Sequence, residues 1–208
     1  MQDKIIHDLQ SVFSDHSFTK TTLTGTPLHI YETKRKDSAG HSIKFTVMTN
    51  AEPNDRFFNI NNPVEGNKVT HICIDGDFIP YGQEKYDSKS LKRKDGRPDC
   101  IVFDDETFLF VELKLDQEDA TFGKEVTKWS KFFEGVNQIL DFVFFLQANG
   151  LNVKDSFLHT YGVVSMRFEP NFSIKSRGNS ARNGERFRIS KKLGFEIVAQ
   201  NYFEFNVD

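Results

Sequence analysis

Two cysteines, one tryptophan and three methionines are all that this 208-residue chain holds of those residue types. Cys73 and Cys100 stand far apart, each in an apolar, strand-like stretch. Two such residues make neither a disulfide framework nor a zinc site, and they read as buried thiols of a cytoplasmic protein. Long hydrophobic runs are missing too. The longest, Ile139 to Leu146, is well short of the roughly 20 residues that span a bilayer and is broken by Asp141, so no membrane partner is expected. The opening residues, MQDKIIHDLQ, carry acids and amides where a secretory signal would be apolar, which argues against export. The histidines (His7, His16, His29, His41, His71 and His159) show no metal-ligand spacing. There is no Walker A loop, no dinucleotide fingerprint and no G-x-S-x-G elbow, which removes the commonest nucleotide-binding and serine-hydrolase classes.

Phenylalanine is abundant, with 22 residues, and a hydrophobic content of 38% is ample for a packed core in one domain spanning 1–208. The net charge of −3 hides a segregation. Residues 85–97 carry six bases and two acids, and residues 175–192 carry seven bases and one acid, leaving 14 bases against 27 acids elsewhere. Two basic segments on an otherwise acidic chain point to an anionic polymer as partner.

Apolar spacing in residues 4–13 predicts a short amphipathic helix. Residues 19–50 change to β-type texture, with strands in TKTTLTGT, LHIYETKRK and SIKFTVMT and a turn at DSAGH. Residues 51–68, rich in Pro, Asn and Gly, read as an irregular connection. VTHICI is a strand. CIVF and FLFVELKL are apolar on both faces, the mark of central strands covered on both sides, and DDET joins them as a turn. Residues 124–147 form the clearest helix, with Val126, Trp129, Phe132, Phe133, Val136, Ile139, Leu140 and Val143 on one arc and Asn149-Gly150 as its stop. HTYGVVSM and FEIVAQNYFEFNV supply the last strand regions. The expected fold class is α/β: a mixed central sheet flanked by helices, with a β-rich N-terminal elaboration over about 19–50.

The chemistry concentrates in RPDCIVFDDETFLFVELK. With the turn centred on Asp105-Glu106, Asp99 falls opposite Glu112, their β-carbons about 5 Å apart. Lys114 shares a face with Glu112. Two carboxylates on rigid strands suit Mg²⁺ or Mn²⁺, with the Leu113 carbonyl and waters able to complete the shell. A lysine beside such a metal can orient or deprotonate a water, or stabilise charge on a phosphate under attack. The Lys124, Lys128, Lys131 and Gln138 side of the long helix could track a phosphate backbone toward that metal.

Pro-Asp, twelve residues, then Glu-x-Lys on a hairpin followed by a long helix and strands resembles the PD-(D/E)XK nuclease superfamily, the restriction-endonuclease-like fold. The resemblance covers about 69–167, and the basic arm 175–192 lies outside it. It implies Asp99 and Glu112 as metal ligands, Lys114 as the catalytic lysine and Mg²⁺ or Mn²⁺ as cofactor. Many members draw another acid from an earlier helix or loop; Glu84, Glu65 and Asp8 are candidates, with Glu84 preferred. Exonuclease-related members carry a Gln followed four residues later by Tyr on the helix after Glu-x-Lys. Here Gln138 matches as a catalytic residue, and Phe142 stands where the tyrosine would be. The implied activity is Mg²⁺-dependent endonucleolytic phosphodiester hydrolysis on nucleic acid, DNA ahead of RNA, in a stand-alone defence, repair or mobile-element nuclease. Lys92, Arg93, Lys94, Arg97, Lys128, Lys131, Arg177, Arg182, Arg186 and Arg188 are the expected nucleic-acid contacts. Many enzymes of this fold dimerise to cut both strands, so a homodimer is part of what the resemblance suggests. Two other classes compete: an inactive nucleic-acid-binding protein of the same fold, and an immunity- or inhibitor-like interaction module whose acidic remainder faces a basic partner.

Overall fold

The computed structural model describes residues 1–14, 18–36, 42–54, 56–74, 96–114, 125–166, 172–173 and 193–205. An N-terminal helix α1 (Gln2–Val12) precedes five strands: β1 (Lys20–Leu23), β2 (Leu28–Lys36), β3 (Ser42–Thr49), β4 (Phe57–Asn61) and β5 (Val69–Cys73). The hairpin β6 (Cys100–Phe103) and β7 (Thr107–Lys114) leads to the long helix α2 (Glu125–Ala148). Then come β8 (His159–Met166), the short β9 (Phe172–Ser173), β10 (Glu196–Ala199) and β11 (Tyr202–Glu204).

The strands form two sheets. A seven-stranded sheet runs β1-β5-β6-β7-β8-β10-β9, and a four-stranded sheet runs β11-β4-β2-β3. In the large sheet β5, β6 and β7 are antiparallel neighbours, whereas β7 and β8 are parallel. Parallel neighbours need a long crossover, and α2 supplies it. The end of α2 follows from its sequence. Gly150 takes φ +84°, its N–H donates to the Gln147 carbonyl, and the Leu151 N–H reaches back to the Leu146 carbonyl at 2.9 Å. That satisfies carbonyls a helix end would leave unpaired.

Strands β6 and β7 are buried along almost their whole length, as an apolar pattern on both faces requires. One face carries Ile101, Phe103, Phe108 and Phe110 against Ile5 and Leu9 of α1 and Phe132, Val136 and Ile139 of α2. The other carries Cys100, Val102, Leu109 and Val111 against Leu28, Ile30, Met48, Phe58, Ile60 and Phe205. The expectation of a sheet flanked by helices therefore needs correction. Among the described residues both helices lie on one face, and the four-stranded sheet covers the other. The alternating apolar side chains of β2, β3 and β4 make a face that must be buried, and the second face of the large sheet is where it goes.

Two further sequence readings change. Residues 51–68 are not wholly irregular: β4 lies within them, with Phe58 and Ile60 buried and Phe57, Asn59 and Asn61 less so. Its period of two is hidden by flanking prolines and asparagines. The large sheet draws strands from both sides of the hairpin in sequence, β1 before it and β10 and β9 after it. The final strand region is split at Gln200–Asn201. Gln200 N–H donates to the Val164 carbonyl in the large sheet at 3.2 Å, and the Asn201 carbonyl accepts from Asn59 in the small one at 3.0 Å. The turn at DSAGH lies outside the described residues.

Cys73 and Cys100 are both buried thiols, as expected, and they are direct cross-strand partners between β5 and β6. No helix is long and apolar enough to cross a membrane among the described residues.

Candidate active site

The β6–β7 turn sets the geometry of everything beyond it. Asp104, 1% exposed, accepts at Oδ1 from the Glu106 N–H at 2.9 Å and the Thr107 N–H at 2.7 Å. Its Oδ2 accepts from the Asn67 amide at 3.0 Å, and its own N–H donates to the Thr107 carbonyl. An aspartate that bonds its own backbone two and three residues on closes a short turn. The loop is held to Asp105-Glu106, so Phe103 pairs with Phe108, Ile101 with Phe110 and Cys100 with Val111. This is the register read from the sequence. Continued one residue, it sets Asp99 opposite Glu112.

Both carboxylates are buried, Asp99 at 7% and Glu112 at 2% exposed. Asp99 Oδ2 accepts a hydrogen bond from the Leu113 N–H, and the Asp99 carbonyl accepts from the Ile74 N–H at 2.9 Å. Within a strand a residue's N–H and C=O point to the same neighbour, so the Leu113 carbonyl also lies on the Asp99 side. Glu112 Oε1 sits 2.6 Å from Lys114 Nζ. Lys114 in turn donates to Gln138 Oε1 at 3.0 Å and lies 3.7 Å from Glu134 Oε1. Burial pulls the Lys114 ammonium down in pKa. The charge and hydrogen bond of Glu112, with Glu134 and Asp99 behind them, outweigh it and leave the group above its usual value.

Helix α2 reaches this end of the sheet through two glycines. A Cβ at Gly135 would stand 2.8 Å from Val164 Cγ1 and 3.1 Å from Glu112 Cγ; its absence lets the helix lie directly on β7 and β8. A Cβ at Gly96 would stand 2.5 Å from Gln138 Cα. With no side chain there, the segment before Asp99 can pass against the helix. The Gly96 N–H donates to Asp141 Oδ2 at 3.2 Å, and Gln138 Nε2 donates to the Arg97 carbonyl at 3.2 Å. Gln138 thus ties the Arg97-Pro98-Asp99 entry to Lys114.

Of the site residues expected from sequence, the structure brings together Asp99, Glu112, Leu113, Lys114 and Gln138, with Arg97 at the edge. Lys131 is exposed and pairs with Glu134 at 2.9 Å. Glu84, Lys92, Arg93, Lys94, Arg177, Arg182, Arg186 and Arg188 lie outside the described residues, as does the side chain of Lys128. Glu65 is at the wrong end, in the turn just before Val69, whereas the site lies beyond Cys73. Asp8 sits on α1, beside His7. Phe142 is fully buried in the core, packed against Phe13 and Phe110. Glu134 is the residue sequence reasoning missed. The hydrogen bond from Lys131 first, then the charges of Lys114 and Lys131, outweigh its partial burial and hold its carboxyl below the usual range. Glu134 lies four residues before Gln138 on the same helix face, but nothing local in the sequence says which face of α2 meets the sheet.

No protein-family model, curated protein or solved structure matches this chain.

As a cation site the arrangement offers two carboxylates and a backbone carbonyl. Among the described residues no group of three or more His, Cys, Asp and Glu side chains is placed to hold a metal. The donor set nevertheless fits Mg²⁺ or Mn²⁺, hard cations commonly bound by one or two carboxylates with waters and substrate phosphate completing the shell. It does not fit a structural zinc site, which wants four protein ligands rich in nitrogen and sulfur.

Proposed function

We propose that the protein is a metal-dependent nuclease that hydrolyses phosphodiester bonds of nucleic acid, DNA first, on a core of restriction-endonuclease-like type. The observation that carries this reading is the hairpin register. It sets Asp99 opposite Glu112 and, with Lys114, gathers two carboxylates and an ammonium at one end of a buried sheet. Charges are costly there unless paired or put to use.

In this reading Asp99, Glu112 and the Leu113 carbonyl hold Mg²⁺ or Mn²⁺. The ion, when bound, acidifies a water and neutralises charge on the phosphate under attack. The protein's own groups do the rest. Asp99 is oriented by the Leu113 N–H, so its oxygens present a fixed donor geometry. Lys114 carries its proton at Nζ between Glu112 and Gln138 and can turn an N–H toward a non-bridging phosphate oxygen, whose charge grows as the water attacks. Gln138 keeps that ammonium aimed at the mouth of the site. Glu134, held by Lys131 and Lys114, links the site to the exposed face of α2, where Lys131 is placed to meet a neighbouring phosphate.

The test is incubation with single- and double-stranded DNA and RNA, with and without Mg²⁺ or Mn²⁺, beside Asp99→Ala and Lys114→Ala. The expected result is cutting that needs the metal and is lost in both variants. Cutting that persists in either variant, or that ignores chelator, sinks the proposal.

A further inference from the structure

The four-stranded sheet carries a basic arm that the charge segregation of the sequence did not single out. β4 pairs with β2 only from Leu28 to Tyr31, and β3 is the outermost strand of its sheet. β2 and β3 nevertheless stay paired out to Lys36 and Ser42. From Glu32 onward the two strands therefore have only each other as sheet neighbours among the described residues.

The arm's direction is set by two contacts. Asn50, at the inner end of β3, donates through Nδ2 to the Thr24 carbonyl at 3.0 Å; Thr24 follows β1 at the Val69 end of β5. Four residues earlier, the Thr46 N–H donates to Cys73 Sγ at 3.3 Å, and Thr46 Oγ1 meets His71 Nε2 at 2.9 Å. Descending β3 thus follows β5 toward Cys73, whose cross-strand partner Cys100 adjoins Asp99. Residues 44 to 42 continue past that point. The arm overhangs the end of the large sheet that carries Asp99, Glu112 and Lys114.

Its residues change character where it leaves cover. On the face turned to the large sheet, Leu28, Ile30 and Met48 are buried hydrophobics, and Thr46 is the buried polar residue at the boundary. By strand alternation the same face continues through Glu32, Lys34 and Lys36 on β2 and Lys44 on β3. Lys34 stands directly opposite Lys44, an arrangement that like charges disfavour. Glu32 takes Lys44 at 2.7 Å, and no ion pair reaches Lys34 or Lys36 among the described residues. Both are exposed.

We propose that this arm is a docking ribbon for double-stranded DNA, seating the duplex across the Asp99–Glu112 end of the sheet. The proposal rests on the nuclease reading of that site and adds how the substrate is held. A two-stranded ribbon fits the B-DNA major groove, about 12 Å wide. Stacked sheets lie about 10 Å apart, so a duplex held by the arm on one side of the large sheet lies across the sheet end. Lys131 of α2 stands on the opposite side to meet the same backbone. A single strand has no such groove for the ribbon to enter.

The experiment is fluorescence anisotropy in EDTA with a short labelled DNA duplex, comparing the full chain with Lys34→Ala/Lys36→Ala and with Asp99→Asn. Single-stranded DNA and duplex RNA serve as competitors, and each protein is melted in parallel. The double variant is expected to bind at least roughly tenfold more weakly, with the slope of log K against log salt smaller by about two. Its melting temperature should not fall, because removing Lys34 relieves the repulsion with Lys44. Asp99→Asn, which takes a negative charge away from the phosphates, should bind no more weakly than the unaltered chain. Unchanged duplex binding and salt slope in the double variant overturns the ribbon and leaves the nuclease reading intact. Better competition by single-stranded DNA or RNA overturns the assignment to duplex DNA. Arm-dependent duplex binding in a protein that never cuts with metal keeps the ribbon and sinks the nuclease reading.

Discussion

Lys114 holds three polar partners at once: Glu112 at 2.6 Å, Gln138 at 3.0 Å and Glu134 at 3.7 Å. Only Glu112 was expected from the strand pattern, two residues away on the same face. The other two come from α2, and their roles differ. Glu134 shares its charge with Lys131, whereas Gln138 spends its amide on the Arg97 carbonyl and its carbonyl oxygen on the ammonium. On the proposed nuclease reading Gln138 is a positioning residue, and its loss should resemble the loss of a hydrogen-bond partner behind a metal ligand. Gln138→Ala is expected to lower the metal-dependent cleavage rate by roughly 10–100-fold. The melting temperature should move little, because the amide is only half-buried. Steady-state kinetics over a Mg²⁺ titration checks this. A rate within twofold of the unaltered chain would show that Lys114 needs no aiming.

At the scale of elements, the site depends on how α2 meets the sheet. A glycine inside a helix normally costs about 0.5–1 kcal/mol relative to alanine. At Gly135 that preference is reversed, since a methyl group would press on Val164 and Glu112. Gly135→Ala is expected to destabilise the protein by about 1–3 kcal/mol despite the better helix former. It should also reduce cleavage, because the displaced helix carries Gln138. Urea unfolding checks the first effect and a cleavage assay the second; a gain in stability would mean that the helix rides higher on the sheet than described. The hairpin behaves in the opposite way. Its register was legible from sequence because Asp104 and the two residues after it specify a short turn by local bonding, and register follows turn length. Asp99, Glu112 and Lys114 could be placed from spacing along two adjoining strands. Glu134 and the Gly96–Asp141 contact could not, because nothing local says which helix face lands on which strand.

For the molecule as a whole, the seam between the two sheets holds a titratable group. His71 on β5 is fully buried and bonded at Nε2 to Thr46, and among the described residues its Nδ1 has no hydrogen-bond partner. Burial lowers its pKa from 6.5 to about 3. The folded state therefore keeps the ring neutral where the unfolded chain takes up a proton. The stability this secures is fully present above pH 6.5 and is lost as pH falls from 6.5 toward 3. At full expression it is of the order of 5 kcal/mol. Urea unfolding between neutral and acid pH should show His71→Gln losing less stability over that window than the unaltered chain. Identical pH slopes would mean that the ring protonates in place.

The sequence by itself determined the elements that depend on near neighbours. These are the two helices, the buried hairpin with its register, the all-apolar central strands and the stop of α2 at Gly150. Periodicity and turn chemistry act within a few residues and are written in consecutive letters. The tertiary structure alone decided what covers the second face of the large sheet, and that β4 and the end of the chain join β2 and β3 there. It alone brought Glu134 and Gly96 to Lys114 and Gln138, and laid the β2–β3 arm over the sheet end. Each of these depends on matching an apolar or polar face with another far away in sequence. Such a match is a property of two surfaces, and neither segment carries it alone.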